Sequence, residues 1–235
     1  MSWFSIPPFG TGSLVTFGTG NGPTHTPVTS PISLFEGNAI LIDNENNALI
    51  SGGFGTYEVV EYGRGGVIGM VAGSQLIKDF GGGVTINGGN GPDEYVMGGP
   101  AITADTLNLG ASSNNVFLGG SGNTINASQN GGHDFTAGAN FGNDRFSLSP
   151  TSSTMTIRGF TLNNGDKLDL SRILPAGANH RNLSDFVTVT TSGPGQFANT
   201  HLRITGSNGN TDFVTLLHSG EITLAQLKAH HSLIL

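Results

Sequence analysis

Apolar residues along this chain come in short alternating runs punctuated by glycine and asparagine. Such runs predict strands rather than helices. Ala39-Ile40-Leu41-Ile42, Ala48-Leu49-Ile50, Tyr57-Glu58-Val59-Val60 and Val67-Ile68-Gly69-Met70-Val71 are the first strand candidates. From Gly81 to Leu148 the pattern becomes periodic, with glycine, asparagine and a single hydrophobic residue returning about every nine positions. Its clearest unit is Gly88 to Val96 (GGNGPDEYV), and Ala139 to Ser147 (ANFGNDRFS) restores Gly142, Asp144 and Phe146 to the positions of Gly91, Asp93 and Tyr95. In the same frame Gly110 to Leu118 places Asn115 at the aspartate position, Gly119 to Ala127 places Thr124 there, and Gly52 to Val60 places Tyr57 there.

A unit this short cannot bury a core alone and must stack on its neighbours. Glycine makes the tight turns, and one hydrophobic side chain per unit points inward. Asparagines stacked in this way can hydrogen-bond up a solenoid as a ladder without any metal.

The pattern GGxGxDxUx, with U hydrophobic, resembles the RTX repeat of proteins exported by bacterial type I secretion. The resemblance implies an all-β fold, a parallel β-roll or β-solenoid with glycine-rich turns. It also implies calcium in those turns, held by aspartate carboxylates and backbone carbonyls, since calcium takes hard oxygen ligands. Asp93 and Asp144 fill the aspartate position, and Asn115 offers a neutral amide oxygen. Past Ser149, Thr156-Ile157-Arg158-Gly159-Phe160 leads into Asn164 to Ser171 (NGDKLDLS). This resembles the passage that closes RTX regions and opens the C-terminal secretion domain, with Asp166 and Asp169 kept and Gly159 in place of the usual aspartate. The expected metal ligands are therefore Asp93, Asp144, Asp166, Asp169 and Asn115.

Three regions follow from this reading. Residues 1–35, rich in proline and glycine yet carrying Trp3, Phe4, Ile6, Phe9, Leu14, Val15 and Phe17, form an apolar arm. It caps the stack or adds a strand to a neighbouring molecule. Residues 36–148 form the solenoid, and residues 149–235 a β-rich secretion domain.

Composition narrows the picture. In 235 residues there are 38 glycines, about double ordinary usage, while charged residues make up 11 %. No basic cluster suggests nucleic acid as a partner. The net charge of −7 suits an acidic, calcium-binding protein, and the absence of cysteine suits one-step export. Neither a cleavable signal pattern nor an apolar run of transmembrane length is present, so an export address is expected elsewhere in the chain.

HExxH, GxSxG and P-loop patterns do not occur. The seven histidines are scattered and read as surface or satisfied residues. The pairs Glu58 with Glu61 and Asp93 with Glu94 could serve a polysaccharide-cleaving groove, but Arg64 and Lys78 stand isolated from them. The expectation is a non-enzyme: a secreted, calcium-responsive structural protein, extracellular or on a bacterial cell surface, that associates with itself into filaments, a surface layer or a biofilm matrix. The alternative is a polysaccharide-binding or polysaccharide-modifying module, with Trp3, Tyr57, Tyr62 and Tyr95 as stacking residues. Expected partners are further copies of the chain, surface polysaccharide and, during export, the type I secretion machinery.

Overall fold

The computed structural model describes residues 4–6, 13–17, 32–34, 37–44, 46–98, 103–127, 132–137, 142–149, 154–207 and 209–235. It is a β-solenoid of about six turns, built from stacked parallel strands. Each turn gives one strand to each of two sheets. The first sheet runs through Ile32–Leu34, the opening halves of Leu49–Glu61 and Val67–Asp79, then Thr85–Asn87, Thr106–Asn108, Thr124–Asn126, Arg145–Ser147 and Lys167–Asp169. The second runs through Gly37–Asp43, the closing halves of the same two long strands, then Glu94–Met97, Asn114–Leu118, Gly132–Ala137 and Thr154–Arg158.

Register explains the sequence period. Val67 stands opposite Leu49, and Thr85 opposite Val67, eighteen positions apart each time. A nine-residue unit is therefore half a turn: one corner and one strand. Later turns lengthen, and Lys167 pairs with Arg145, twenty-two positions back. The strands stay aligned because the extra residues are taken up in the corners.

Two inward columns run through the core. In the first sheet it is Ile32, Ile50, Ile68, Ile86, Leu107, Ile125, Phe146 and Leu168, each opposite the next. In the second it is Leu41, Val59, Ile77, Tyr95, Val116, Phe135 and Ile157. All are buried. Each buried aliphatic chain is worth about 1.5–3 kcal/mol, so the stack is held by repeated apolar contacts rather than by any single anchor. The aromatic members meet edge-on, with the Phe135 and Phe146 centroids 5.5 Å apart.

Close stacking requires glycine at some corners. Gly73 has φ +113°, and a Cβ there would collide with the Gly55 carbonyl of the turn before. That combination of left-handed backbone and contact admits no side chain.

The boundaries expected at residues 35 and 148 are not visible in the strand pairing. Phe4–Ile6 pairs with Ile32–Leu34, and Ser13–Phe17 with Gly37–Asp43, so part of the N-terminal arm is itself a turn of the stack. What Trp3 and the rest of the arm touch lies outside the described residues. At the other end the parallel order continues past Ser149, through Thr154–Arg158 to Thr211–Leu217, and from Lys167–Asp169 to Leu233–Ile234. The antiparallel strands Val187–Ser192, Asn199–Thr205 and Thr211–Leu217 then close the second sheet. The helix Leu224–Ala229, started by a capping box of Thr223 and Gln226, buries Leu227 in the core of this closing region. Among the described residues no helix is long and apolar enough to cross a membrane.

Candidate functional site: carboxylates along one edge

The aspartate of the nonapeptide lies at the start of a strand, two residues before the inward hydrophobe. There it joins the turns. In the first sheet Val84 N–H donates to Asp105 Oδ1 (3.0 Å), Asp105 N–H to Asn123 Oδ1 (3.1 Å), Asn123 N–H to Asp144 Oδ1 (2.8 Å) and Asp144 N–H to Asp166 Oδ1 (3.2 Å). Thr161 N–H ends the series on Asp166 Oδ2 (3.0 Å). The second sheet has a shorter version: Gln75 N–H donates to Asp93 Oδ1 (2.9 Å) and Asp93 N–H to Asn114 Oδ1 (3.0 Å). Each side chain satisfies a backbone donor of the preceding turn that would otherwise be buried without a partner.

Three expected ligands, Asp93, Asp144 and Asp166, are thus rungs of these ladders. Asn115 is not. It is exposed on the outer face, and its neighbour Asn114 is the buried rung. Thr124 is likewise displaced by Asn123. The nine-residue frame slips by one position in these two units, and in a strand a slip of one turns the side chain to the opposite face. Asp105 was not foreseen. The signal was present as Asp or Asn followed two positions later by a hydrophobe, in Asp105-Thr106-Leu107, Asn114-Asn115-Val116 and Asn123-Thr124-Ile125.

A second set of carboxylates lies at the closing end of the second sheet's strands. Asp43, Glu61 and Asp79 occupy one register position on three successive strands. All three are 0–1 % exposed. The position faces inward, because the next two turns fill it with Met97 and Leu118, both buried. Glu61 accepts from Gly63 N–H (2.6 Å) and Asp79 from Gly81 N–H (2.9 Å), which holds each acid against its own corner. Lys78 points outward to Glu58 (2.7 Å), so it is paired rather than isolated.

These surroundings disfavour charge. Burial, then the charge of Asp43, pushes the Glu61 carboxyl up to about 8, with Asp79 adding to the effect and the Gly63 N–H opposing it. Burial and the Asp79 charge raise Asp105 to about 7. Burial raises Asp144 to about 6 against the Asn123 N–H, with Asp166 contributing a further push. Asp79, Asp93 and Asp166 are also raised, in each case by burial first. Asp169 differs. Burial works to raise it, but hydrogen bonds from Ser171 and Arg145 outweigh burial and hold it below the usual carboxylate range.

The outer faces carry other rows. Asn108 Nδ2 donates to Asn87 Oδ1 (2.8 Å) and Asn126 Nδ2 to Asn108 Oδ1 (2.7 Å), an asparagine ladder without metal. The same row continues through Ser147 to Asp169, where Arg145 and Ser171 converge on the carboxyl. On the second sheet's outer face a depression of about 380 Å³ is lined by residues that include Asn115, Phe117, Asp134, Thr156, Arg158 and Leu217. Tyr57 and Tyr95, expected as stacking residues, belong to the core; Tyr62 is exposed and stacks on Phe80 at 5.3 Å.

Calcium takes six to eight oxygens around one point. Here the acids are strung along the stack at the strand spacing of about 4.8 Å, and the ladder rungs direct an oxygen at backbone N–H. Among the described residues no group of three or more His, Asp or Glu is disposed to hold a metal ion. The expected aspartates are therefore not gathered around one point. Asp169 is committed to Arg145, and Asn115 faces away from the other four. Compared with family models, curated proteins and solved structures, the chain gives no match in any of the three.

Proposed function

We propose that this protein is a structural β-solenoid that associates with copies of itself in an extracellular or cell-surface setting. One observation carries the reading. The outer surface of a weakly charged rod displays large apolar side chains along its length: Phe54 (61 % exposed), Tyr62, Val71, Phe117, Phe213 and Phe197. Exposed apolar surface with few charges to keep neighbours apart favours lateral association. The RTX-like Asn164 to Ser171 passage supports export by a type I route, and it forms the last regular turn of the stack. Sedimentation and electron microscopy of the purified chain over a range of concentrations test the reading. Growing assemblies that Tyr62→Asp with Phe80→Ser prevents are expected; a monomer at every concentration overturns it. Calcium response enters as one arm of that experiment, with and without chelator.

A second reading is favoured by the depression over Asn115, Phe117, Asp134 and Arg158, where an exposed ring adjoins hydrogen-bonding groups. That combination suits an extended polysaccharide. Binding of neutral and uronate oligosaccharides, lost in Phe117→Ala, is its measurement.

A further inference from the structure

The column Asp43, Glu61 and Asp79 is out of keeping with the rest of the stack. Inward positions elsewhere on the same row hold Met97 and Leu118. Three acids in successive turns stand about one strand spacing, about 4.8 Å, from each other. Like charges at such spacing and such burial cannot all be ionised without strong mutual repulsion. Along the same edge Asp105, at the start of a first-sheet strand, extends the row from Asp79.

We propose that Glu61, Asp79 and Asp105, with Asp43 as the acidic neighbour of Glu61, form a proton-operated clasp that holds the N-terminal turns of the solenoid closed in acid and loosens them in alkali. The groups facing it can be named from every neighbouring element. Glu61 meets Asp43, Asp79 and the Gly63 N–H. Asp79 meets the Gly81 and Gly82 N–H groups and Asp105. Asp105 meets Asp79 and the Val84 and Gly83 N–H groups. Of the nearby bases, Lys78 is paired outside with Glu58, and Arg64 lies exposed in the turn after Glu61. No Lys, Arg or His is among the groups that act on Glu61, Asp79 and Asp105, so protons are what relieve the repulsion at these three.

The sign follows from the raised values. Folding favours the protonated form, so the contribution is complete below the ordinary carboxylate range and is lost as pH rises through about 7 to about 8. Nothing in this inference depends on self-association or on sugar binding.

The experiment uses the full chain. Thermal melts are recorded at about pH 5.5 and about pH 8.5, with hydrogen exchange corrected for intrinsic rates to locate the change. The wild type is expected to melt at least ~3 °C lower at the higher pH, the shift that about one displaced pKa unit gives in a chain of this size. Extra exchange should be concentrated in residues 37–97. The paired substitution Glu61→Met with Asp79→Leu copies the residues of the next two turns and should remove most of the pH dependence. Glu61→Gln with Asp79→Asn provides the same test in near-isosteric form. Equal wild-type melts at both pH values overturn the clasp, as does an undiminished pH dependence in both folded variants. Millimolar calcium that restores the acid-level melt at about pH 8.5 also overturns it, because a cation would then be doing the protons' work.

Discussion

Two stacks of buried acids share one edge of this solenoid, and they are built differently. In the ladder of Asp105, Asn123, Asp144 and Asp166 a neutral asparagine interrupts the carboxylates, and every rung takes an N–H from the turn before it. In the column of Asp43, Glu61 and Asp79 three acids follow without interruption; Glu61 accepts from its own corner, and Asp79 from its own corner while also meeting Asp105. The consequence appears in their protonation. Asp144, beside an asparagine on one side and Asp166 on the other, rises to about 6, while Glu61, between two acids, rises to about 8. A buried acid is raised less in a parallel stack when one of its neighbours is neutral. When its neighbours are also acids, the fold becomes dependent on pH.

Substitutions can break or sharpen this contrast. The largest effect is expected from Phe146→Ala, which leaves the ladder's polar groups in place and removes a fully buried ring between Phe135 and Phe160. A loss of about 3–5 kcal/mol in denaturant unfolding is expected, as for other buried aromatic truncations. A smaller loss would mean that the ladders, and not the apolar columns, carry the stack.

Asn123→Asp turns the ladder into an uninterrupted run of four acids. It should cost about 1–3 kcal/mol near neutral pH and much less in acid, since each displaced pKa unit is worth about 1.4 kcal/mol. Urea titrations at several pH values would show the two curves meeting as pH falls. Parallel curves would contradict the role given to the neutral rung.

Arg145→Ala removes the partner of Asp169. The arginine side chain is 46 % exposed, so a loss of only about 0.2–1 kcal/mol is expected. Its pH dependence runs opposite to that of the clasp. Asp169 is held below its ordinary value, so its contribution is present at neutral pH and disappears as acid protonates it. The difference between wild type and variant should therefore shrink on acidification. Smallest of all is Asn108→Ala, which cuts the outer asparagine ladder at its middle. About 0.5–1.5 kcal/mol, the net worth of ordinary hydrogen bonds, bounds the effect, and partial solvent access should place it low in that range.

The solenoid was legible because its signal is repetition. Glycine-punctuated units with one hydrophobe each leave stacking as the way to bury Ile86, Leu107, Ile125 and Phe146. The nine-residue period marked the half-turn, and Asp93, Asp144 and Asp166, singled out as calcium ligands, are rungs of the two ladders. The use to which they are put was not legible. Metal ligation and capping of a backbone N–H call for the same side chain at the same corner, and the choice depends on where the next turn's atoms lie. Asn115 was mistaken for its neighbour because the spacing varies from turn to turn, and the frame can be set only once strands are paired.

What the amino-acid order determined by itself is local and periodic: short strands, glycine corners, an apolar residue at each inward position and an acidic or amide residue before it. What only the tertiary structure decided is adjacency between turns. Asp43, Glu61 and Asp79 lie eighteen residues apart in the chain, each after an ordinary apolar run, and none looks unusual alone. Their charges meet because parallel strands in register place distant residues one strand spacing apart, and that register is a property of the whole stack.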